Sequence, residues 1–254
     1  MTGGAGGDTV RAVATSGDDG DEAGGGGVIA PPGRDVRGAL GGSRLDRRPE
    51  LAEELARLRD ALARPGPRLL EIGFDHGRRL SATAAASPTW TVVGLEVREQ
   101  RVLEARARAA EHGLDNLVAL RLDARAILAS PDAVPEGAFT VVEALFPTPW
   151  PEGKARRRLL ATPDFFRDAA RALAPGGLLY LATDVAWLAD AMAASAGAAP
   201  ELEATPWEEA LRERRPPCSQ RSRREWRCAE DGLPVHRFAF VRRGWASQRG
   251  PGSS

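Results

Sequence analysis

Three carboxylates occupy positions from which they could bind a nucleoside. Glu71 lies in Leu69-Leu70-Glu71-Ile72-Gly73-Phe74-Asp75-His76-Gly77, Glu96 closes Val93-Gly94-Leu95-Glu96, and Asp123 stands in Leu122-Asp123-Ala124. An acid at the end of a second strand can accept both hydroxyls of a ribose. One after the next strand could accept a hydrogen bond from an adenine amino group, and an acid beside the glycine turn suits a cation. Gly73 and Gly77 let the backbone approach a ligand closely, and a helix starting there presents free amide groups. Singly, each acid reads equally well as a helix cap or a solvated loop acid, and the glycine pair as an ordinary tight turn. Together they point toward one crevice.

The glycine turn discriminates between ligands. A dinucleotide site calls for G-x-G-x-x-G, but position 75 is Asp75, and an acid in that turn repels a pyrophosphate. A nucleoside carrying a cationic sulfonium and an amino group, with no phosphate, suits Glu71 and Asp75 better. S-adenosylmethionine is therefore the expected cofactor, with Glu71, Gly73, Gly77, Glu96 and Asp123 as its binding residues.

These residues need elements to hold them. Leu51, Leu55, Leu58 and Leu62 share one face of a helix after Pro49. Strands are expected over residues 68–73, 90–95, 117–122, 139–145 and 178–183, with helices from about Gly77 and over 98–112. Thr162-Pro163-Asp164 supplies a cap, a first-turn proline and an early acid for a helix running to about Leu173, where Pro175-Gly176-Gly177 stops it. Strands separated by helical periods imply βαβ units and a ligand crevice beyond the strands' carboxyl ends. The expected fold is α/β: a Rossmann-like, doubly wound, mostly parallel sheet. Residues 223–229 and 235–241 flank Asp231-Gly232, a hairpin signal, so an antiparallel C-terminal hairpin is expected to close the sheet.

Composition sets outer bounds. The 254 residues are 43% hydrophobic, room for one domain of about 200 residues once polar ends are set aside. Residues 1–43 hold half of the glycines and an acidic run without apolar period; they read as a disordered leader, and 244–254 as a disordered tail, around a domain at 44–243. Basic and acidic residues balance at 35 each, so any attraction to nucleic acid must be local. Two arginine clusters offer it, Arg156-Arg157-Arg158 and the set Arg212, Arg214, Arg215, Arg221, Arg223, Arg224 and Arg227; solvated faces are the alternative. Cys218 and Cys228 lack zinc-site spacing and read as free thiols, and no metal is expected. Without roughly twenty consecutive apolar residues or a signal-like N-terminus, no membrane association is expected and the location reads as cytoplasmic. Composition leaves the oligomeric state open between monomer and weak dimer.

At Phe146-Pro147-Thr148-Pro149-Trp150-Pro151, followed by Arg156-Arg157-Arg158-Leu159, the chain resembles the bacterial tRNA (guanine-N7)-methyltransferases, whose corresponding segment reads F-P-D-P-W-P before a basic run. The resemblance extends through Pro163-Asp164-Phe165-Phe166, Leu173-Ala174-Pro175-Gly176-Gly177 and Leu181-Ala182-Thr183-Asp184, and covers about residues 67–243. It implies a class I S-adenosylmethionine-dependent methyltransferase acting on tRNA, with Glu71, Glu96 and Asp123 matching the cofactor acids. It further implies Thr148, Lys154, Asp184, Ser219 and Ser222 on the substrate side, Asp184 matching an acid used on the nucleic acid. From its position alone, Asp184 is as readily a helix cap. The chain departs from the family at several places. Thr148 stands for the aspartate of the hexapeptide, Asp75 and His76 alter the glycine turn, and Ser219-Gln220-Arg221-Ser222 stands for T-K-x-E. Glu152 and Gly153 occupy the place of a family lysine, with Lys154 following. The basic N-terminal stretch has no counterpart beyond Arg44, Arg47 and Arg48. The departures gather on the substrate side, which leaves open methylation of another RNA or a small metabolite, or an inactive RNA-binding paralogue.

Overall fold

The computed structural model describes residues 48–150, 158–218 and 220–244. The expected leader, the tail from residue 245, Lys154, Ser219, Arg156 and Arg157 lie outside the described residues. Chain order is α1 (Arg48–Ala63), β1 (Arg68–Ile72), α2 (Arg78–Ala86), β2 (Thr91–Leu95), α3 (Glu99–Glu111), β3 (Leu117–Leu120), α4 (Ala124–Leu128) and β4 (Phe139–Leu145). There follow α5 (Pro163–Ala172), β5 (Leu173–Thr183), α6 (Ala186–Ala196), β6 (Leu202–Thr205), α7 (Trp207–Arg214), α8 (Arg223–Glu230) and β7 (His236–Arg242).

The seven strands lie in the order β3-β2-β1-β4-β5-β7-β6. β1 to β5 run parallel, while β7 pairs antiparallel with both β5 and β6. The strands alternate between two cores, as a pleat with helices on both faces requires. Leu70, Val93, Val142 and Leu179 face one core with α1, α4, α5 and α6. Leu69, Val92, Val141 and Leu178 face the other with α2, α3 and α7. Successive strands move outward one way from β1 and the other way from β4. That reversal opens a crevice at the carboxyl ends of these two strands.

The doubly wound sheet with antiparallel C-terminal strands is as expected, but the tight hairpin is not how it closes. Residues 223–230 form α8, and the antiparallel partner of β7 is β6, an element not anticipated. Ser222 caps the helix, its hydroxyl accepting from the Glu225 amide at 3.1 Å, and Ser222-Arg223-Arg224-Glu225 has the S-x-x-E form of a capping box. At the far end Asp231-Gly232 acts as a helix stop. Gly232 has φ +65°, and the Leu233 amide reaches back to the Cys228 carbonyl at 2.8 Å, which is the Schellman arrangement. A dipeptide able to adopt left-handed backbone serves either turn, so helix capping decided the outcome.

Thr162 caps α5 as expected, its hydroxyl accepting from the Phe165 amide at 3.3 Å. α5 ends at Ala172, close to the expected Leu173, and Pro175-Gly176-Gly177 just beyond it lies inside β5, which begins at once. There the pairing with β4 slips between Phe139 and Val141.

Candidate functional site

A cleft of about 1900 Å³ opens at the carboxyl ends of β1 and β4. Glu71, Glu96, Asp123, Thr148, Asp184 and Ser222 all line it, together with Gly73. Gly77 lies just behind, buried as the N-cap of α2 with φ +67°. The turn between β1 and α2 places three alternate residues in the left-handed region, Gly73 at φ +73°, Asp75 at +49° and Gly77 at +67°. Asp75 thus takes the backbone conformation that a glycine would, which a short polar side chain tolerates.

Each acid of the cleft faces an arginine. Glu96 accepts from the Val97 and Arg98 amides at 2.9 and 3.0 Å, and its two oxygens also meet the Arg98 guanidinium at 3.2 and 3.1 Å. Asp123 is the N-cap of α4, accepting from the Arg125 amide at 3.0 Å, and it binds the Arg125 guanidinium as well. It is therefore a helix cap and a cleft residue at once. Asp184 sits one residue before the N-cap Val185 of α6 and accepts from Arg224, whose Nε lies at 3.0 Å. Thr183 makes the local bond instead, its hydroxyl accepting from the Val185 amide at 3.2 Å. Arg98 and Arg224 are 56% and 45% exposed, so their side chains can swing into solvent at little cost.

Glu71 is held differently. It continues the buried face of β1 beyond Leu69 and pairs in register with Glu143 on β4. Two neighbouring buried carboxylates require compensating charge, and Arg79 of α2 with Arg215 after α7 supplies it. Arg79 donates to both oxygens of Glu143 at 2.5 and 3.0 Å. Arg215 adds bonds to Glu143 at 2.8 and 3.3 Å. Glu71 Oε2 is buried and forms an ion pair with Arg79 Nη1 at 3.1 Å. Burial is the main cause that pushes the Glu71 carboxyl above the ordinary carboxylate range, with the Glu143 charge adding to it against Arg79 and Arg215. Glu143, also buried, is nonetheless drawn down to about 2 by Arg79 and Arg215.

Glu143 and Arg79 were not among the residues singled out from the sequence. The available signal was a glutamate inside the apolar strand Phe139–Leu145, where a charge must have a partner. Arg215, grouped by sequence with a basic face, turns inward and is 9% exposed; Arg214 likewise donates to the Gly176 carbonyl at 2.8 Å. Arg221, Arg223, Arg224 and Arg227 remain on the cleft rim with Arg158.

The segment expected on the substrate side follows β4. Phe146 has φ +52°, and its amide donates to the Ala182 carbonyl at 2.7 Å. Positive φ at an aromatic residue is a strained conformation of the kind found at ligand sites. It turns Pro147, Thr148, Pro149 and Trp150 into the cleft. Ser222 also lines the cleft, with its hydroxyl committed to capping α8. Cys218 and Cys228 are free thiols. Among the described residues no group of three or more His, Cys, Asp or Glu is placed to hold a metal, and no helix is long and apolar enough to cross a membrane.

A family model described as "Putative methyltransferase" (Methyltransf_4) matches residues 65–238. The chain belongs to that methyltransferase family. S-adenosylmethionine is the family's methyl donor. Similar relatives include a tRNA (guanine-N(7)-)-methyltransferase of Alkalilimnicola ehrlichii, 38% identical over 145 residues, 57% of this chain and 60% of the relative. One of the same name from Leifsonia xyli subsp. xyli is 42% identical over 146 residues, 56% of this chain and 63% of the relative. A third, from Nostoc sp., is 32% identical over 177 residues, 69% of this chain and 80% of the relative. The chain thus spans about three fifths of the length of the first two.

The acceptor groups of the cleft test whether the site suits such a cofactor. Glu71, Glu96 and Asp123 line one cleft beside the left-handed turn at Gly73, and the amino group, ribose hydroxyls and adenine amino group of S-adenosylmethionine are hydrogen-bond donors that carboxylates accept. The residues present fit it.

Proposed function

We propose that this protein transfers the methyl group of S-adenosylmethionine to N7 of a guanine in tRNA. The observation that carries the reading is the convergence, on one cleft at the sheet's switch point, of Glu71, Glu96 and Asp123 with the segment from Phe146 to Trp150 and with Asp184. The like-named relatives support the same reading.

In this reading the Glu71 carboxylate receives the cofactor's amino group. Glu96 accepts the ribose hydroxyls as Arg98 swings aside, Asp123 accepts from the adenine amino group, and Gly73 and Gly77 shape the turn. When bound, S-adenosylmethionine supplies an electrophilic methyl on a sulfonium. Guanine N7 offers a lone pair at neutral pH, so no side chain need remove a proton and the protein contributes mainly position. Asp184, released from Arg224, accepts from N1 and the exocyclic amino group of guanine and so presents N7. Thr148 offers a hydroxyl at the cleft mouth, and Ser222 holds the start of α8. Lys154 and Ser219, outside the described residues, complete the substrate side. Arg221, Arg223, Arg227 and Arg158 meet the phosphates, and a cytoplasmic location belongs to the same reading.

Incubation of the protein with labelled S-adenosylmethionine and bulk tRNA from cells lacking their own enzyme tests this directly. Nucleoside analysis should yield 7-methylguanosine; its absence, with another methylated nucleoside or none, would refute the substrate. Thr148, in place of the family aspartate, favours one second reading, transfer to another RNA. The same analysis on ribosomal RNA would reveal that.

A further inference from the structure

Trp226 stands on α8 and is 55% exposed. A single exposed apolar side chain is ordinary on a protein surface, but the surroundings of this one are not. It lines the cleft, and so do Arg221, Arg223 and Arg227, all three exposed. Arg223, Trp226 and Arg227 stand at positions i, i+3 and i+4 and therefore share one face of the helix. The opposite face is committed to the fold: Cys228 is buried, Arg224 holds Asp184, and Glu225 accepts from Arg237 at 3.0 Å. Glu230 shares the outward face but does not line the cleft. Two other tryptophans have a guanidinium over the ring, Arg158 over Trp150 at 5.4 Å and Arg237 over Trp207 at 4.7 Å. The Trp226 ring meets no aromatic or cationic partner among the described residues.

We propose that the outward face of α8 is a stacking platform: Trp226 takes the face of an unpaired base next to the target guanine, while Arg223 and Arg227 hold the phosphates beside it. The inference rests on the reading of the cleft as an RNA site and adds to it a contact with a base that is not methylated. An uncovered ring between two exposed guanidinium groups matches the two things a single-stranded nucleotide presents, a π-face and a backbone charge. The base it takes is not the target. Arg224, which pairs with Asp184, stands two residues before Trp226, about 200° round the helix, so Trp226 points away from the acid proposed to hold guanine. Stacking accepts any base, so the platform fixes where the strand lies and leaves its sequence unread.

The test measures binding of bulk tRNA to the full chain by filter binding over a series of salt concentrations, with affinity for S-adenosylhomocysteine, the demethylated cofactor, as the check that each variant keeps its cleft. Trp226→Ala should weaken tRNA binding about tenfold, within the range that one stacked base contributes. Trp226→Phe, which keeps a π-face, should stay within about threefold of wild type, whereas Trp226→Leu, apolar but without one, should be as weak as alanine. Stacking releases no counterion, so the slope of log affinity against log salt should be the same in Trp226→Ala as in wild type, unlike the loss of a phosphate contact. Undiminished tRNA binding by Trp226→Ala would overturn the proposal and leave this face to a protein partner. Recovery by leucine as complete as by phenylalanine would overturn it too, since apolar contact alone would then suffice, and so would a loss that flattens the salt slope. Failure of wild-type protein to bind tRNA at any salt would instead refute the RNA reading of the cleft, and the platform with it.

Discussion

Gly77 is where the turn proposed to hold the cofactor meets the packing of the helices behind it, and Gly77→Ala measures both. The residue has φ +67°, and an added Cβ would stand 2.8 Å from the Ala105 Cβ on α3 and 3.5 Å from Phe74. A left-handed L-residue costs about 1–2 kcal/mol. Forcing a methyl into a packed interface adds about 1–3 kcal/mol, giving a combined destabilisation of about 2–5 kcal/mol. Gly113→Ala is the matched control, because Gly113 has φ +61° with nothing within 4 Å of its Cβ position. It should show the backbone cost alone, about 1–2 kcal/mol. Urea unfolding of the two variants beside wild type separates the terms, since at a common slope the midpoint falls by the stability loss divided by that slope. S-adenosylhomocysteine affinity adds a second readout: displacement of the turn should weaken binding in Gly77→Ala and leave Gly113→Ala unchanged. Equal stability losses in the two variants would show that the start of α2 does not bear on Ala105, and the reasoning about the turn would fail.

Other outcomes follow from the charges and caps. Glu143 has its carboxyl held at about 2 against an ordinary 4.5, so its contribution is complete above pH 4.5 and is lost as pH falls towards 2. Glu71, shifted upward, acts in the opposite sense over acid pH. Thermal unfolding followed across that window should therefore drop less steeply in Glu143→Gln than in wild type. Ser222→Ala removes the cap of α8, about 1 kcal/mol, and disturbs Arg223, Arg224 and Arg227 with it. Filter binding should show weaker tRNA affinity, while calorimetry shows S-adenosylhomocysteine binding little changed. Affinity for tRNA should fall steeply with salt, and Arg221→Ala or Arg223→Ala should each lower the slope of log affinity against log salt by roughly one. A slope that neither substitution alters would exclude phosphate contacts at this rim.

Local chemistry made much of this protein legible from its residues alone. The largely apolar runs at residues 68–72, 91–95, 117–120 and 139–145 are strands within a residue or two of where their pattern placed them, because a parallel strand buried on both faces is apolar along most of its length. Thr162-Pro163-Asp164 starts α5 because capping depends on a few adjacent atoms. Glu71, Glu96 and Asp123 reach one cleft because parallel strands deliver their carboxyl ends to the same edge. What depended on contacts between distant segments could not be read that way. The weakly patterned strand Leu202–Thr205 exists through its pairing with β7. Asp231-Gly232 supports a hairpin turn or a helix stop, and the cap at Ser222 selected the latter. Arg215 reads like its exposed neighbours until the register of β1 and β4 sets Glu71 beside Glu143 and creates a buried need for its charge. Periodicity and caps act over a few residues, whereas the partner of a buried charge is chosen by the whole packed sheet.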